Sequence, residues 1–395
     1  METFSGSFTQ QEPIPEEGIA AALDVLRHGR LHRYNEAPGE TAEAAALEEE
    51  FAAQVGAKYC LAVASGGYGL STALRAVGVG PGDRVLSNAF TLAPVPGAIA
   101  SVGALPVFVG VTEGLVIDLE DLERKAGEAK VLMLSHMRGH ICDMDALMAL
   151  AAEAGLTVIE ACAHTMGAGW TGTPSGRHGQ VGCYSCQTYK HVNSGEGGLS
   201  VSDDAEIMAR ATMLSGSYML YGRHRAAPPP EAFEGIRYDM PNISGRMDNL
   251  RAAVLRPQLR ALEDQCARWN ARYAVMDAGL ADCPGLTRIA RPAKEAFVAS
   301  SYQFLLLDWP DAAIRAVVDG CGARGVELKW FGAPEPVAFT STYRSWHYAQ
   351  PAPMPESDRI LRGVMDMRLP LTFSDVDCAL IARIIRVEVS RAAPT

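Results

Sequence analysis

Short apolar runs alternate with helix-period segments over much of this chain, and that rhythm predicts its architecture. Cys60-Leu61-Ala62-Val63-Ala64, Arg84-Val85-Leu86, Leu105 to Val109, Lys130 to Ser135 and Thr157 to Ile159 each read as a short buried strand. Helical patterns lie between them, at Leu70 to Val77, near Pro96 to Val102 and near Asp145 to Ala154. Alternation of this kind implies right-handed crossovers and a mostly parallel sheet covered on both faces. Two helices precede it, Pro15 to Gly29 and about Thr41 to Val55, each ended by a glycine. After Gly198 the rhythm weakens, and Arg246 to about Leu280 reads as one long helix or a kinked pair. A strand at Tyr302 to Asp308 and helices at Asp311 to Gly320 and Val376 to Val389 then suggest a smaller α+β unit. The expected division is residues 1–255 for the large α/β domain with its N-terminal helices and 256–395 for the small domain.

Composition narrows the function classes. The chain has 395 residues, 48% hydrophobic and 21% charged, with a net charge of −11. That balance suits a large globular core and argues against nucleic-acid binding. No apolar run reaches the roughly 18 residues that span a bilayer. The acidic start METFSGSFTQQEPIPEEG lacks a signal-peptide pattern. Nine cysteines without framework spacing fit a reducing cytoplasm. Cys183-Tyr184-Ser185-Cys186 has a redox-like spacing, but strand alternation sends the two sulfurs apart. His136-Met137-Arg138-Gly139-His140 follows a strand and surrounds a glycine, which suits a loop lining a cleft better than a metal site. No metal is expected.

The candidate chemistry sits at strand ends. Ser65-Gly66-Gly67, between a strand and a helix, places unpaired N–H groups where an anion can approach; an ordinary tight turn has the same composition. Glu160 and His164 follow the strand ending at Ile159, where open α/β sheets bind ligands. The apolar run Val181 to Cys186 leads to Lys190 and then a glycine-dense turn. A lysine there is either a solvated strand-end residue or a desolvated nucleophile toward carbonyls.

Taken together, Ser65-Gly66-Gly67, Pro81-Gly82-Asp83, Phe90-Thr91, Pro106 to Val109, Glu160 to Gly167, Ser185 and Lys190 followed by Ser194-Gly195-Glu196-Gly197-Gly198 resemble the DegT/StrS sugar-aminotransferase family of fold-type I pyridoxal phosphate (PLP) enzymes. The resemblance implies a three-layer α/β transferase fold with a smaller C-terminal domain. It also implies a homodimer with shared active sites and a small-molecule amino donor and keto acceptor, the acceptor being a nucleotide-linked or secondary-metabolite sugar. It assigns Lys190 the Schiff base with PLP and the later proton shuttle. Gly66, Gly67 and Ser185 would hold the phosphate, Phe90 would stack on the pyridine, and His164 would lie near the phenolic oxygen. Ser244 stands where the family has an asparagine that reaches the partner's phosphate.

One position departs from the family pattern. Ala161 replaces the aspartate that keeps the pyridine nitrogen protonated. Three accounts compete: a slow or rerouted PLP enzyme (elimination, dehydration or carbon–carbon bond formation), substitution by Glu160 or a water, or an inactivating change. Glu160 would serve only if the strand were bulged there, since alternation points it the other way. A non-catalytic binding or regulatory relative is the remaining alternative. Tyr218, Tyr221, Arg223, His224 and Arg225 form a candidate sugar-facing cluster, and Lys329, Trp330 and Phe331 a candidate closure of the pocket.

Overall fold

The structure is a computed structural model that describes residues 2–394. Seven strands build its main sheet: β1 (Tyr59–Val63), β2 (Arg84–Asn88), β3 (Leu105–Val109), β4 (Val131–Ser135), β5 (Thr157–Ala161), β6 (Val181–Ser185) and β7 (Gly198–Ser202). Their spatial order is β1-β7-β6-β5-β4-β2-β3. The run from β6 to β3 is parallel, while β7 pairs antiparallel with both β6 and β1. The strands are almost continuously buried, as a sheet with helices on both faces requires.

Alternation along each strand divides the core into two layers. Val85, Val131, Met133, Ile159, Ala161, Val181 and Cys183 pack with Leu70, Leu74 and Ile99 on one face. Leu86, Leu132, Leu134 and Val158 pack with Met144, Leu147 and Phe51 on the other. Registers between neighbouring strands align Ser135, Ala161 and Cys183 side by side at the carboxyl edge. Every loop that follows a parallel strand opens at this edge.

Of the two expectations for Arg246 to about Leu280, the pair of helices is the one found. Asn249–Arg260 carries Pro257 in its last turn, and Leu262–Gly279 starts afresh beyond Ala261. The first of these helices packs on Glu16–His28 and Glu43–Val55, the second on Asp375–Ala392. A second, antiparallel sheet follows, made of β8 (Thr287–Arg288), β9 (Ser301–Leu305), β10 (Lys329–Trp330) and β11 (Val364–Arg368), in the order β8-β9-β11-β10.

The first residues depart from the sequence expectation. Phe4 and Phe8 do not join the large domain; they pack edge-on against Phe373 and within the C-terminal core. No helix among the described residues is long and apolar enough to cross a membrane.

Candidate active site

The loops at the carboxyl edge of the main sheet enclose a cavity of about 550 Å³. At one end lies the start of the helix Gly66–Ala76. Ser65 caps that helix by accepting from the Tyr68 N–H at 3.1 Å. The N–H groups of Gly66 and Gly67 make no hydrogen bond to any described residue, so they face the cavity as free donors. Ser185, at the end of β6, stands against them. A Cβ on Gly66 would come within 2.9 Å of the Ser185 Cβ. The Gly197-Gly198 turn is what allows this closeness. Gly198 pairs with Ser185, and a Cβ there would meet the Ser65 carbonyl carbon at 2.7 Å and the Gly66 nitrogen at 2.8 Å. Gly197 has φ 159°, at the edge of what a side chain tolerates.

Lys190 stands in the next segment, between the Ser185 turn and Gly195. Its Nζ lies 2.8 Å from His164 Nε2. Burial first, then the nearby Arg138 and Arg368 charges, pull its pKa down to about 7. His164 is depressed well below its ordinary range, by burial and then by Lys190 and Arg138. Its Nδ1 accepts from the Arg138 backbone N–H at 3.4 Å. The ring proton therefore belongs on Nε2, which donates to the Lys190 amine once that amine has lost its proton. A desolvated, neutral lysine oriented by a neutral histidine is a nucleophile toward carbonyls.

The structure thus brings together Lys190, His164, Gly66, Gly67 and Ser185. It corrects two other expectations. Phe90 does not line the cavity; it is 1% exposed and meets Phe331 edge-on at 5.3 Å, within a separate cluster. The loop reaches the cavity two residues later, through Thr91 and the aliphatic Leu92. Glu160 is also outside. Its carboxylate is fully buried behind the sheet. There it accepts from His136 Nε2 (2.9 Å) and from the N–H groups of Gly176 (2.9 Å), His178 (2.8 Å) and Gly179 (2.7 Å). Burial would raise its pKa, but these donors lower it. β5 stays regular through Ala161, so Glu160 keeps the opposite face and does not substitute for the missing aspartate.

Ala161 does face the cavity, between Ser135 and Cys183. Ser135 Oγ accepts from Thr91 Oγ1 at 2.7 Å, and burial pushes the Cys183 thiol up to about 12. This part of the floor is uncharged. The only carboxylate lining the cavity among the described residues is Glu196, which is exposed.

Ser244 is exposed and lies outside this cavity; its Oγ accepts from Arg246 Nη2 at 3.3 Å. The Tyr218 to Arg225 group is not a lining either. Tyr221 stacks on Phe233 at 4.0 Å, Arg223 donates to the Tyr34 carbonyl at 2.5 Å, and His224 is buried beside Tyr34, Arg33 and Glu48. Closure comes from Ala338, Phe339, Ser341 and Arg368 rather than Lys329, Trp330 and Phe331. Arg138 and Tyr189 complete the wall. Arg138 stood in the sequence beside the two histidines that drew attention; the loop lines the cavity through Met137 and Arg138 while both histidines are buried elsewhere. Arg368 carried no sequence signal, since only the small domain's docking brings it here.

The model of the DegT/DnrJ/EryC1/StrS aminotransferase family matches residues 14–386, and the chain belongs to that family. It is 28% identical over 338 residues to a putative L-glutamine:3-amino-2,3-dideoxy-scyllo-inosose aminotransferase of Streptoalloteichus tenebrarius, covering 82% of this chain and 78% of that protein. A UDP-N-acetyl-3-dehydro-α-D-glucosamine 3-aminotransferase of Acidithiobacillus ferrooxidans is 34% identical over 251 residues, 60% of this chain and 64% of that one. Among solved structures, S. venezuelae DesV in complex with a ketimine intermediate superposes with a TM-score of 0.79 at 27% identity, covering 96% of this chain and 95% of DesV.

Proposed function

We propose that this protein is a PLP-dependent aminotransferase that moves the amino group of glutamine or glutamate to the keto group of a cyclitol or nucleotide-linked sugar. The observation that carries the reading is the placement of Lys190, desolvated and 2.8 Å from His164, in the cavity whose other end is the Gly66-Gly67 cradle. The relatives' named donors and acceptors support the substrate classes.

The chain's own residues fit the cofactor at two places. Gly66, Gly67 and Ser185 offer free backbone donors and a hydroxyl in a space that a single added Cβ would fill, which suits a phosphate. Lys190 suits an aldehyde. When bound, PLP supplies a carbonyl that accepts amino groups and a conjugated ring that spreads developing charge. Lys190 would hold that carbonyl, and its amine would move the proton at the substrate's reacting carbon. His164 Nε2 orients that amine. Phe339, with the loop around it, limits water from the small-domain side.

The uncharged floor at Ser135, Ala161 and Cys183 supports a second reading, in which the same lysine serves elimination, dehydration or carbon–carbon bond formation. We further infer a homodimer in which exposed Ser244 reaches the partner's phosphate end, and a cytoplasmic setting consistent with nine free, buried cysteines. Borohydride reduction of PLP-saturated protein followed by peptide mapping should place the pyridoxyl group on Lys190. An unmodified Lys190 would sink the proposal. Formation of 2-oxoglutarate or its amide from the donor separates transamination from the second reading.

A further inference from the structure

The floor of the cavity holds a hydroxyl that the lysine chemistry does not use. Ser135 ends β4 beside Ala161 of β5, in register with it. Asn88, fully buried at the end of β2, holds Ser135 at both backbone groups. Its Oδ1 accepts from the Ser135 N–H at 2.8 Å, and its Nδ2 donates to the Ser135 carbonyl at 3.0 Å. The same Nδ2 donates to the Phe90 carbonyl at 2.8 Å, which fixes the turn that carries Thr91. Thr91 Oγ1 then donates to Ser135 Oγ at 2.7 Å. Two hydroxyls bring two protons and use one between them. The other, on Ser135, has no acceptor among the described residues, and Ser135 lines the cavity. Its neighbours offer no rival donor: Ala161 has no polar side-chain atom, and the Cys183 sulfur lies 3.6 Å from Ser200 Oγ.

The charges around the floor decide what this proton can serve. Arg138 Nη2 donates to the buried Asp366 Oδ2 at 2.7 Å, a pair that is neutral overall. Arg368 lies 3.8 Å from the Tyr189 ring centroid and forms no ion pair among the described residues. Exposed Glu196 is the one lining carboxylate set against it. A pyridine nitrogen is a weak base that keeps a proton at neutral pH only beside an anion. Here its positive charge would have no buried carboxylate to balance it. Left unprotonated, that nitrogen is an acceptor, and its complement is an O–H. Cys183 precedes Ser185 by two on the same face of β6, so the row Ser135, Ala161, Cys183 lies one step deeper in the sheet than the phosphate cradle. In PLP the nitrogen lies across the ring from the aldehyde that Lys190 would take, so it points away from the lysine.

We propose that Ser135, held by Asn88 and Thr91, is the hydrogen-bond donor to an unprotonated ring nitrogen of the cofactor, in the place of the carboxylate that Ala161 lacks. Glu160, on the other face of β5, does not reach this point. The proposal rests on the PLP reading and not on the choice between transamination and its alternatives. A neutral ring withdraws charge less strongly than a protonated one, so the proton at the substrate's carbon leaves against a higher barrier than it would above a carboxylate.

The test uses cofactor-free protein and two probes, PLP and its analogue with C–H in place of the ring nitrogen, titrated by calorimetry. The preference for PLP over the analogue should fall roughly 3- to 10-fold in Ser135→Ala, the loss of one hydrogen bond between neutral partners. The fall should come from weaker binding of PLP alone, and comparing both probes in both proteins isolates that one contact. Ser135→Cys, a poorer donor of the same shape, should lie between. The same preference in wild type and a stably folded Ser135→Ala overturns the proposal. If Ser135→Ala does not fold, Ser135→Cys decides, and a wild-type preference in it overturns the proposal. NMR of PLP enriched at the ring nitrogen and bound to wild type should match the unprotonated free cofactor; a protonated nitrogen overturns the proposal as well. A pyridoxyl group on Lys190 together with an unchanged preference sinks the Ser135 contact and leaves the PLP reading standing. No binding of either probe sinks both.

Discussion

Two buried ionic clusters in this chain contain nearly the same residue types and do different things. In one, Arg33 donates from both Nη atoms to Glu48 at 2.8 Å, and Glu48 also accepts from the Ala62 N–H at 2.8 Å, with His224 at 3.1 Å. Tyr34 closes the far side of His224 at 2.7 Å. Burial works against the Glu48 charge, but Arg33 and His224 hold its pKa at about 2. In the other, Lys190, His164, Arg138 and Arg368 surround a cavity with one buried aspartate among them. The first cluster pairs every charge, leaving only the Arg33 Nε without a partner, and ties an N-terminal loop to β1. The second keeps an unpaired guanidinium, a desolvated amine and an uncharged floor facing open space. Charge near the core marks a site only where its partners run out.

The contrast can be broken at either cluster. Replacing Lys190 by alanine should have the largest effect, removing turnover of the amino donor by about 1,000-fold or more while the melting temperature of the protein holds; a single-turnover assay reads the first and calorimetry the second. Glu48→Ala should do the opposite. It leaves Arg33 buried without its carboxylate and should cost about 3–5 kcal/mol in a urea titration, with pyridoxyl labelling of Lys190 retained in the folded fraction.

The third test uses pH. Lys190 keeps its proton to about 10.5 when unfolded but releases it near about 7 when folded. Between these values the unfolded chain binds the extra proton, so stability of the cofactor-free protein should rise with pH from 7 toward 10.5, relative to Lys190→Met. Acylation of Lys190 should follow the same lower titration; a midpoint near 10 would show the amine to be solvated. A smaller effect is expected at the floor: Ala161→Asp should speed the donor half-reaction about tenfold, worth roughly 1.4 kcal/mol, if the missing carboxylate limits it. Smallest of all, removing the exposed Arg225–Glu49 pair through Arg225→Ala should change stability by about 1 kcal/mol or less.

The parts of this molecule set by local pattern were legible in the sequence. Strand–helix alternation predicted the parallel sheet, and the Lys190 segment with its glycine turn led to the cavity. Alternation alone also gave the side of β5 on which Glu160 lies. What failed had a different physical origin. Phe90 and Leu92 sit two residues apart in one loop, and an irregular backbone has no period from which to say which one points inward. Tyr221 to Arg225 had a binding-site composition, yet His224 found its partners at Tyr34 and Glu48, some 180 residues away in sequence. Arg368 and Phe339 reach the cavity only because two domains dock, and Phe4 and Phe8 cross to the C-terminal core for the same reason. Contacts of that range leave no local mark.

The Arg138–Asp366 pair also bears on how substrates enter. It is a latch between two domains, shut in a place water does not reach. Swinging the small domain away would part the pair but admit water to both charges, so the cost is the lost pairing less the regained hydration. The pair therefore favours the closed arrangement without forbidding a hinge opening, and it ties the two halves of the cavity together in the absence of substrate.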